Sequence, residues 1–563
     1  MKFWNKCVLR RSIFYKTILV LLLLAGGGTA ILWRTPPSVE ENRYAATSLA
    51  DKSILHIGNG MEPANLDPTK VMGISEINIL LNLFEGLTVP DPVTWEPRPG
   101  AAVSWDISPD GKQYVFHLQP TGKWSDQRPL TAYDFVFAWR RLLDPKNAAP
   151  DAYFLFHLKN AKKFNAGEEK DPTKLGVYAR NAHTLEVELA YPAPGFLTRT
   201  WSPVLAPLPQ HVVEKWGDHW VEAKHMVSNG PFCLSEWLFH RYVKLTKNPQ
   251  YWDAEQVHFS QVFFHPVESS TTEEHLFATK ALQLTHGIPY SRIPFYEKNH
   301  PEQVQYSHLL GVHALLLNVD RRPLQDVRVR QALSMVIDRK SLAAVCGKNQ
   351  EQVAVSFLPP YLKGFVSGSP LLPSVDAQTI AVAQGKLAAA GYPGGKGFPP
   401  LVMRYYTNEN HRKVMAAIQE MWRRDLGVTI SLHNEEFKMF LRNRKNRDFD
   451  IARIGWVSTS EDPESFLEPF LSKSAFIPTG WQQPKFDNLI LLAQQMRNPI
   501  LRLQALEDAE KLLMTEMPII PLYTIGSSRL LDPRLRVSVE SGVEQIWRAN
   551  HYSVVYLKYV YLK

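Results

Sequence analysis

Cysteine is scarce: Cys7, Cys233 and Cys346 are the three in 563 residues. Thiols so few and so far apart cannot staple a small scaffold or build a four-cysteine zinc site. There is no Cys-x-x-Cys, no His-Glu-x-x-His and no Gly-x-Ser-x-Gly, which removes dithiol redox chemistry, helix-borne zinc hydrolysis and the serine elbow of α/β-hydrolases. The absence of a fixed-period repeat or heptad seam excludes solenoids and coiled coils. An excess of charge is also missing once its position is considered. Lys plus Arg number 63 against 55 Asp plus Glu, a net of +8. Six of the basic residues (Lys2, Lys6, Arg10, Arg11, Lys16, Arg34) lie in the first 39 residues, which hold no acid, leaving 57 basic against 55 acidic residues in the body. A body so nearly neutral lacks the electrostatic footprint of a nucleic-acid binder.

Hydrophobic residues make up 45% of the chain, and 15 Trp, 21 Tyr and 27 Phe are spread along it, so the bulk is globular and not disordered. Its length suits about two to four domains. Basic residues up to Lys16 precede an uncharged run, Thr17 to Trp33, with Ile-Leu-Val-Leu-Leu-Leu-Leu at positions 18 to 24. This is an export signal with its positive end kept in the cytoplasm. Gly28-Thr29-Ala30 supplies a small-x-small cleavage site, while the run is about as long as the shortest spanning helices. Residues 1–34 are therefore read as a signal peptide or an uncleaved N-terminal membrane anchor. Arg10-Arg11 before Ser-Ile-Phe shares only its arginine pair with a twin-arginine signal. Cys7 precedes the apolar run, the wrong side for a lipid acceptor. Polar residues 35–52, opening near Pro36-Pro37, read as a linker. In an oxidising compartment Cys233 and Cys346 either pair or stay as buried thiols, and their spacing leaves both open.

Beyond the linker, strand and helix patterns alternate. Tyr114, Phe116 and Leu118, and again Leu185, Val187 and Leu189, follow the period of two of half-buried strands. Thr131, with Asp134 three residues on, opens a helix to about Leu143, where Asp144-Pro145 stops it. Val329, Leu333, Val336 and Ile337, and then Val414, Ala417, Ile418 and Met421, have helical spacing. Gly427 caps the second of these helices, and Val428, Ile430 and Leu432 alternate as the next strand, a unit of α/β type. Trp139, in helical register with Phe135, should pack inward.

The remaining near-motifs carry little chemistry. Gly391-Tyr-Pro-Gly-Gly-Lys396-Gly has three residues between its glycines where a phosphate loop needs four, and Gly397 where Ser or Thr should stand; it reads as a turn. Glu273-Glu274-His275, Glu435-Glu436 and Glu461-Asp462 read as solvated acids, not as a glycosidase pair. No catalytic residue, metal ligand or cofactor is assigned.

One series of blocks is distinctive in combination: Asn65-Leu-Asp-Pro68, Leu83-Phe-Glu-Gly-Leu87, Pro97-x-Pro-Gly-Ala101, Ser104-Trp105, Tyr114 to Leu118 and Lys123-Trp-Ser-Asp126. Asp134-Phe-Val-Phe-Ala-Trp139, Thr184-Leu-Glu-Val187, Ser228-Asn-Gly-Pro231, Asn248-Pro-Gln-Tyr-Trp252, Asp326-Val-Arg-Val-Arg330 and Asp338-Arg339 follow in order. Over about residues 53 to 563 the chain resembles the extracellular solute-binding proteins of family 5, in particular the periplasmic oligopeptide-binding type that serves ABC importers. Gln119 and Thr121 depart from the family's basic and acidic residues before Lys-Trp-Ser-Asp.

The resemblance implies a two-lobed α/β fold with an extra subdomain inserted in the first lobe and a ligand cleft between lobes. Mapped here, lobe I comprises 53–74, 210–310 and a return segment 527–563, with the inserted subdomain at 75–209 and lobe II at 311–526. It also implies an extended peptide paired through its main chain to Glu62 to Asn65, Ala64 included, on one side and Gly455, Trp456 and Val457 on the other. His411, Arg444 and Arg453 match the partners of the peptide carboxylate, which needs charge-assisted donors. Arg444 is equally readable as part of a solvated run, Arg442 to Arg447. Phe437 stands where the family often has a pocket tryptophan. Thr459 replaces the aspartate that holds the peptide's α-ammonium, and a hydroxyl cannot neutralise that charge; Glu461, Asp462 or an amine-free ligand are the ways out. The lysine used for certain peptide lengths falls at Gly347, with Lys348 one position off.

The implied function is capture of oligopeptides or peptide-like solutes by an exported, monomeric, non-enzymatic receptor. It would work in the periplasm or cell envelope and hand its ligand to the permease and ATPase of an ABC importer, with no nucleic-acid partner. The alternatives are a family member for an oligosaccharide or metal chelate, or an exported envelope hydrolase.

Overall fold

The computed structural model describes residues 51–563 other than 72, 194, 346–351, 361, 363–373, 459–461, 473, 475–476, 497, 539–544 and 547–553. Readings placed on the leader and linker, Cys346, Gly347, Lys348, Thr459 and Glu461 lie outside the described residues. Asp51–Lys563 form one compact unit. Among the described residues no helix is long and apolar enough to cross a membrane.

The strands, in chain order, are β1 (Ile54–Gly58), β2 (Thr88–Pro90), β3 (Pro97–Pro99), β4 (Ala102–Ile107), β5 (Gln113–Leu118), β6 (Val177–Asn181) and β7 (Thr184–Glu188). They continue with β8 (Phe232–Leu238), β9 (Tyr242–Lys247), β10 (Gln261–His265), β11 (Val304–Leu317), β12 (Leu401–Tyr406), β13 (Ile430–Glu435), β14 (Ile451–Val457), β15 (Ile519–Leu530), β16 (Leu535–Val537), β17 (Gln545–Ile546) and β18 (Val560–Leu562). One sheet has the order β1-β10-β9-β8, with β1 parallel to β10 although some 200 residues separate them in the chain. A second, β4-β5-β7-β6, is antiparallel and falls wholly between those two strands in sequence. A third, β13-β12-β14-β11-β15, mixes parallel and antiparallel pairs.

The expected alternations fall in β5 and β7, where Tyr114, Phe116, Leu118, Leu185 and Val187 are buried. The helix Ala132–Leu143 starts where Thr131 donates both its N–H and its hydroxyl to the Asp134 carboxylate, each at 2.8 Å. Trp139 packs inward and donates to the Leu205 carbonyl at 2.9 Å. The helix expected to reach Ile337 spans Val327–Met335, and Val336 turns out of helical geometry while staying buried, because burial and helix do not share an endpoint there. Glu409–Leu426 ends on Gly427 at φ 69°, a left-handed cap that glycine adopts without strain, and β13 begins at Ile430, two residues later than Val428. Gly391 to Gly397 is a turn around the 3-10 segment Pro393–Gly395.

Two readings are corrected. Glu273 and Glu274 are buried, not solvated: Glu273 accepts from the N–H groups of His286 (2.7 Å) and Gly287 (3.1 Å), and Glu274 accepts from Tyr296 Oη at 2.8 Å and from Arg292. Glu435 is likewise buried, paired with Arg404, while Glu436 is exposed and caps the next helix. Adjacent acids look alike in sequence whichever way they point. Cys233 is a free, half-buried thiol whose pKa is raised by burial.

Two large hydrophobic cores underlie the sheets. Val312, Leu315, Leu316 and Leu317 of β11, with Ile451, Ile454, Ile519 and Ile520, centre the one below the five-stranded sheet. Phe116, Phe135, Trp139, Leu185, Phe232 and Phe264 belong to the other.

Candidate ligand-binding site

β14 has one partnered edge and one largely open edge. Its whole length pairs with β11, from Leu317↔Ile451 to Gly311↔Val457. On the other side β12 pairs only with Ile451 and Ala452. From Arg453 to Val457 the main chain therefore presents N–H and C=O groups to an incoming strand, as an exposed edge does. Gly455 sits opposite His313, and a Cβ there would come within 3.2 Å of His313 Nδ1 and 3.5 Å of Ile525 Cδ1. The missing side chain keeps that surface clear.

Arg453 heads this edge and is only 4% exposed. Its Nη2 donates to His313 Nδ1 at 2.6 Å, its Nη1 donates to Tyr406 Oη at 3.2 Å, and its guanidinium lies 5.2 Å from the Tyr406 ring centre. Both partners are neutral. Burial, then the charge of Arg453, holds the His313 pKa well below the usual histidine range. Tyr406, at the end of β12, gathers the rest: His411 packs edge-on at 4.4 Å, Phe437 edge-on at 5.0 Å and Phe440 tilted at 5.8 Å. His411 is pushed down to about 2 by burial and then by Arg453, and its Nδ1 is buried without a partner. Arg444, from the helix Phe437–Lys445, is half-buried with its guanidinium 5.8 Å from the Phe440 ring, and burial followed by Arg453 lowers its pKa to about 10. Among the described residues no carboxylate pairs with Arg444 or Arg453. Two partly desolvated cations without a counter-anion are costly unless a ligand supplies one.

The expected set thus divides. His411, Phe437, Arg444 and Arg453 meet around Tyr406, with Gly455, Trp456 and Val457 on the adjoining edge. Glu62, Ala64 and Asn65 occupy an irregular stretch after β1, held by side chains: Glu62 accepts from Trp237 Nε1 at 2.7 Å and from the His240 N–H at 3.0 Å, Ala64 donates to Glu76 at 2.8 Å, and Asn65 accepts from the Asp67 N–H at 2.7 Å. The expectation that Glu62 faces the ligand meets a carboxylate already engaged by Trp237. Tyr406 and His313 escaped sequence reasoning because they come from other strands, and the His313↔Gly455 register has no local signature.

Among the described residues one cluster has metal-ligand spacing: His157, Glu464 and Glu468 offer atoms within 4.8 Å of one another. Its acids already have cations, with Glu464 accepting from Arg502 at 2.7 Å and Glu468 paired with Lys162 at 3.0 Å, and Arg199 lies 3.4 Å from His157. A site neutralised by three cations does not suit a divalent metal.

Residues 96–477 match the model of bacterial extracellular solute-binding proteins, family 5. The periplasmic oligopeptide-binding protein OppA of Salmonella typhimurium is 34% identical over 532 residues, 93% of this chain and 95% of that protein. The solved structure of the Escherichia coli murein tripeptide binding protein MppA superposes with TM-score 0.83 at 32% identity, covering 91% of this chain and 99% of that one. The unliganded open form of MppA, over 91% and 98% of the two chains at 31% identity, gives only 0.66. The fold is therefore the two-lobed α/β architecture of these binding proteins, with lobes set closer to the first MppA structure than to the open one. By the extent of the family match and the identity to its members, the chain belongs to the bacterial extracellular solute-binding proteins of family 5.

Proposed function

We propose that this protein is an exported receptor that captures short peptides or peptide-like solutes between its lobes and delivers them to an ABC importer. The observation that carries the reading is the open edge of β14 with the buried, carboxylate-free Arg453 at its head. An extended ligand adds to that edge as a strand, and its terminal carboxylate supplies the anion that Arg453 and Arg444 lack. From Arg453 to Val457 the edge runs about 13 Å, the reach of about four extended residues. Main-chain pairing gives affinity with little dependence on side chains. The names of OppA and MppA, an oligopeptide and a murein tripeptide binder, support the same ligand class.

β11 and β15 are the long strands that lead from the neighbourhood of the first sheet into the third, and they are the natural hinge between lobe I and lobe II, near residues 310 and 526. The protein acts in the periplasm, brought there by residues 1–34 as signal or anchor, and it binds without turnover. Mass spectrometry of ligand released by denaturing the purified protein tests the reading. Peptide-like molecules with a free carboxylate are expected; a neutral sugar, together with no calorimetric binding of any peptide in a diverse library, would overturn it. Recovery of the ligand unchanged after long incubation with the native protein is the expected result for a receptor, and its cleavage would make the protein a hydrolase.

A further inference from the structure

At the end of β14 remote from Arg453 lies a cavity of about 500 Å³, of the order that encloses small-molecule ligands. Tyr153, Phe154, Phe156, Trp456, Pro469 and Leu471 line it, together with Val457 and Ser458 of the strand end. The walls are mostly apolar. Tyr153 and Trp456 lie tilted against each other in this lining, 6.5 Å between ring centres. Lys162 and Glu468, which pair at 3.0 Å, stand among its lining residues and leave each other neutralised.

Two donors in this lining lack an acceptor. Arg199 is 6% exposed, its Nε is buried without a partner, and among the described residues the one polar contact of its side chain is the 3.4 Å approach to His157 Nδ1. His157 is held neutral by burial and by the nearby Arg199, Lys162 and Arg502 charges, so it gives the guanidinium no counter-charge. The indole Nε1 of Trp456 is also buried without a partner. Guanidinium and indole N–H groups can only donate. Leaving such groups unsatisfied costs free energy that an acceptor oxygen would recover. A free ammonium brings more donors and a positive charge next to Arg199, and the buried acid of the lining, Glu468, already has Lys162 as its cation.

We infer that this cavity selects the far end of the ligand, and that it takes a bulky apolar group adjoining an acceptor oxygen, as in an N-acylated peptide with a large first side chain, rather than a free α-ammonium. The inference rests on the reading of the protein as a peptide receptor and names the ligand class for one end of the same cleft. Apolar burial against the aromatic walls supplies size selection, and Arg199 with Trp456 supplies selection for the acyl oxygen. The opposite end of the ligand keeps its carboxylate at Arg453.

Calorimetry with the purified protein and four ligands, Ala-Ala-Ala and Phe-Ala-Ala each with a free or an acetylated amine and all with free carboxylates, tests this. The N-acetyl forms should bind at least tenfold tighter than the free amines, and N-acetyl-Phe-Ala-Ala at least tenfold tighter than N-acetyl-Ala-Ala-Ala. Arg199→Met should collapse the ratio between acetylated and free forms. Equal affinities across the four, or tighter binding of the free amines, would overturn the inference and leave the peptide reading standing. Binding by none of the four would overturn both.

Discussion

In the proposed site Arg453 matters more to binding than to folding. A guanidinium buried among neutral partners contributes little to the ligand-free fold and becomes favourable only when an anion arrives. Arg453→Met, which keeps the length of the side chain, should leave the melting temperature of the ligand-free protein unchanged or raised. The same variant should weaken a carboxylate ligand by about 2 to 5 kcal/mol, the usual loss when one member of a buried charged pair is removed. Differential scanning calorimetry and titration on one preparation read both effects. A variant that unfolds early and binds normally would place Arg453 in the scaffold. His411 and His313 belong to the same neutral surround: both are held deprotonated across the physiological range, so neither adds to the positive charge seen by a ligand.

At the scale of elements, the strands and caps decide what each residue can reach. Thr131→Ala removes the hydroxyl that meets Asp134 at the start of the helix Ala132–Leu143, and should cost about 1 kcal/mol in chemical denaturation. Gly311→Ala is expected to be worse. Its Cβ would lie 2.6 Å from the Trp456 carbonyl oxygen, which is backbone, so β11 and β14 must part, by the 1 to 3 kcal/mol or so of an overpacked core. The variant should lose both stability and ligand affinity, and wild-type affinity with a lowered melting temperature would mean that the edge tolerates the shift. The two helix ends also mark what sequence conveys. Thr131 with Asp134 and Gly427 with its alternating successor are local signals, and the structure keeps both. The edge of β14 is not local: Ile451 to Val457 reads as a strand, but which side stays open depends on β12 ending its pairing at Ala452, a tertiary fact. Arg453, His411 and Phe437 were reachable through resemblance to a family. Tyr406, which gathers them, was reachable by neither pattern nor motif, and Glu273 was misread because an acid held by two backbone N–H groups carries no mark in the sequence.

For the molecule as a whole, buried titratable groups tie stability to pH. Burial lowers the pKa of His56 and His286 to about 4, His265 to about 3 and His411 to about 2. Their unfolded values lie near 6.5, so the unfolded chain binds protons first as pH falls, and the stability present above about pH 6.5 is lost below it. Asp151, Glu273 and Glu464 act the other way, since burial raises each to about 7 and the folded state gains protons between about pH 7 and pH 4.5. His157, His258 and His313 are also depressed, while burial raises Glu76, Glu85 and Asp134 as well, so among the described residues seven histidines face six acids and the melting temperature should fall modestly between pH 7 and pH 5. A rise over that interval would show the acids to dominate.

The proposed capture of a ligand between the lobes turns on an anion at the head of β14. Titration of one tetrapeptide as its free acid and as its C-terminal amide, against the wild-type protein and Arg453→Met, tests that dependence directly. The expected result is a loss of at least tenfold on amidation in the wild type and a clearly smaller loss in the variant, where Arg444 remains to meet the carboxylate. Equal binding of acid and amide by the wild-type protein would contradict capture of the carboxylate by Arg453.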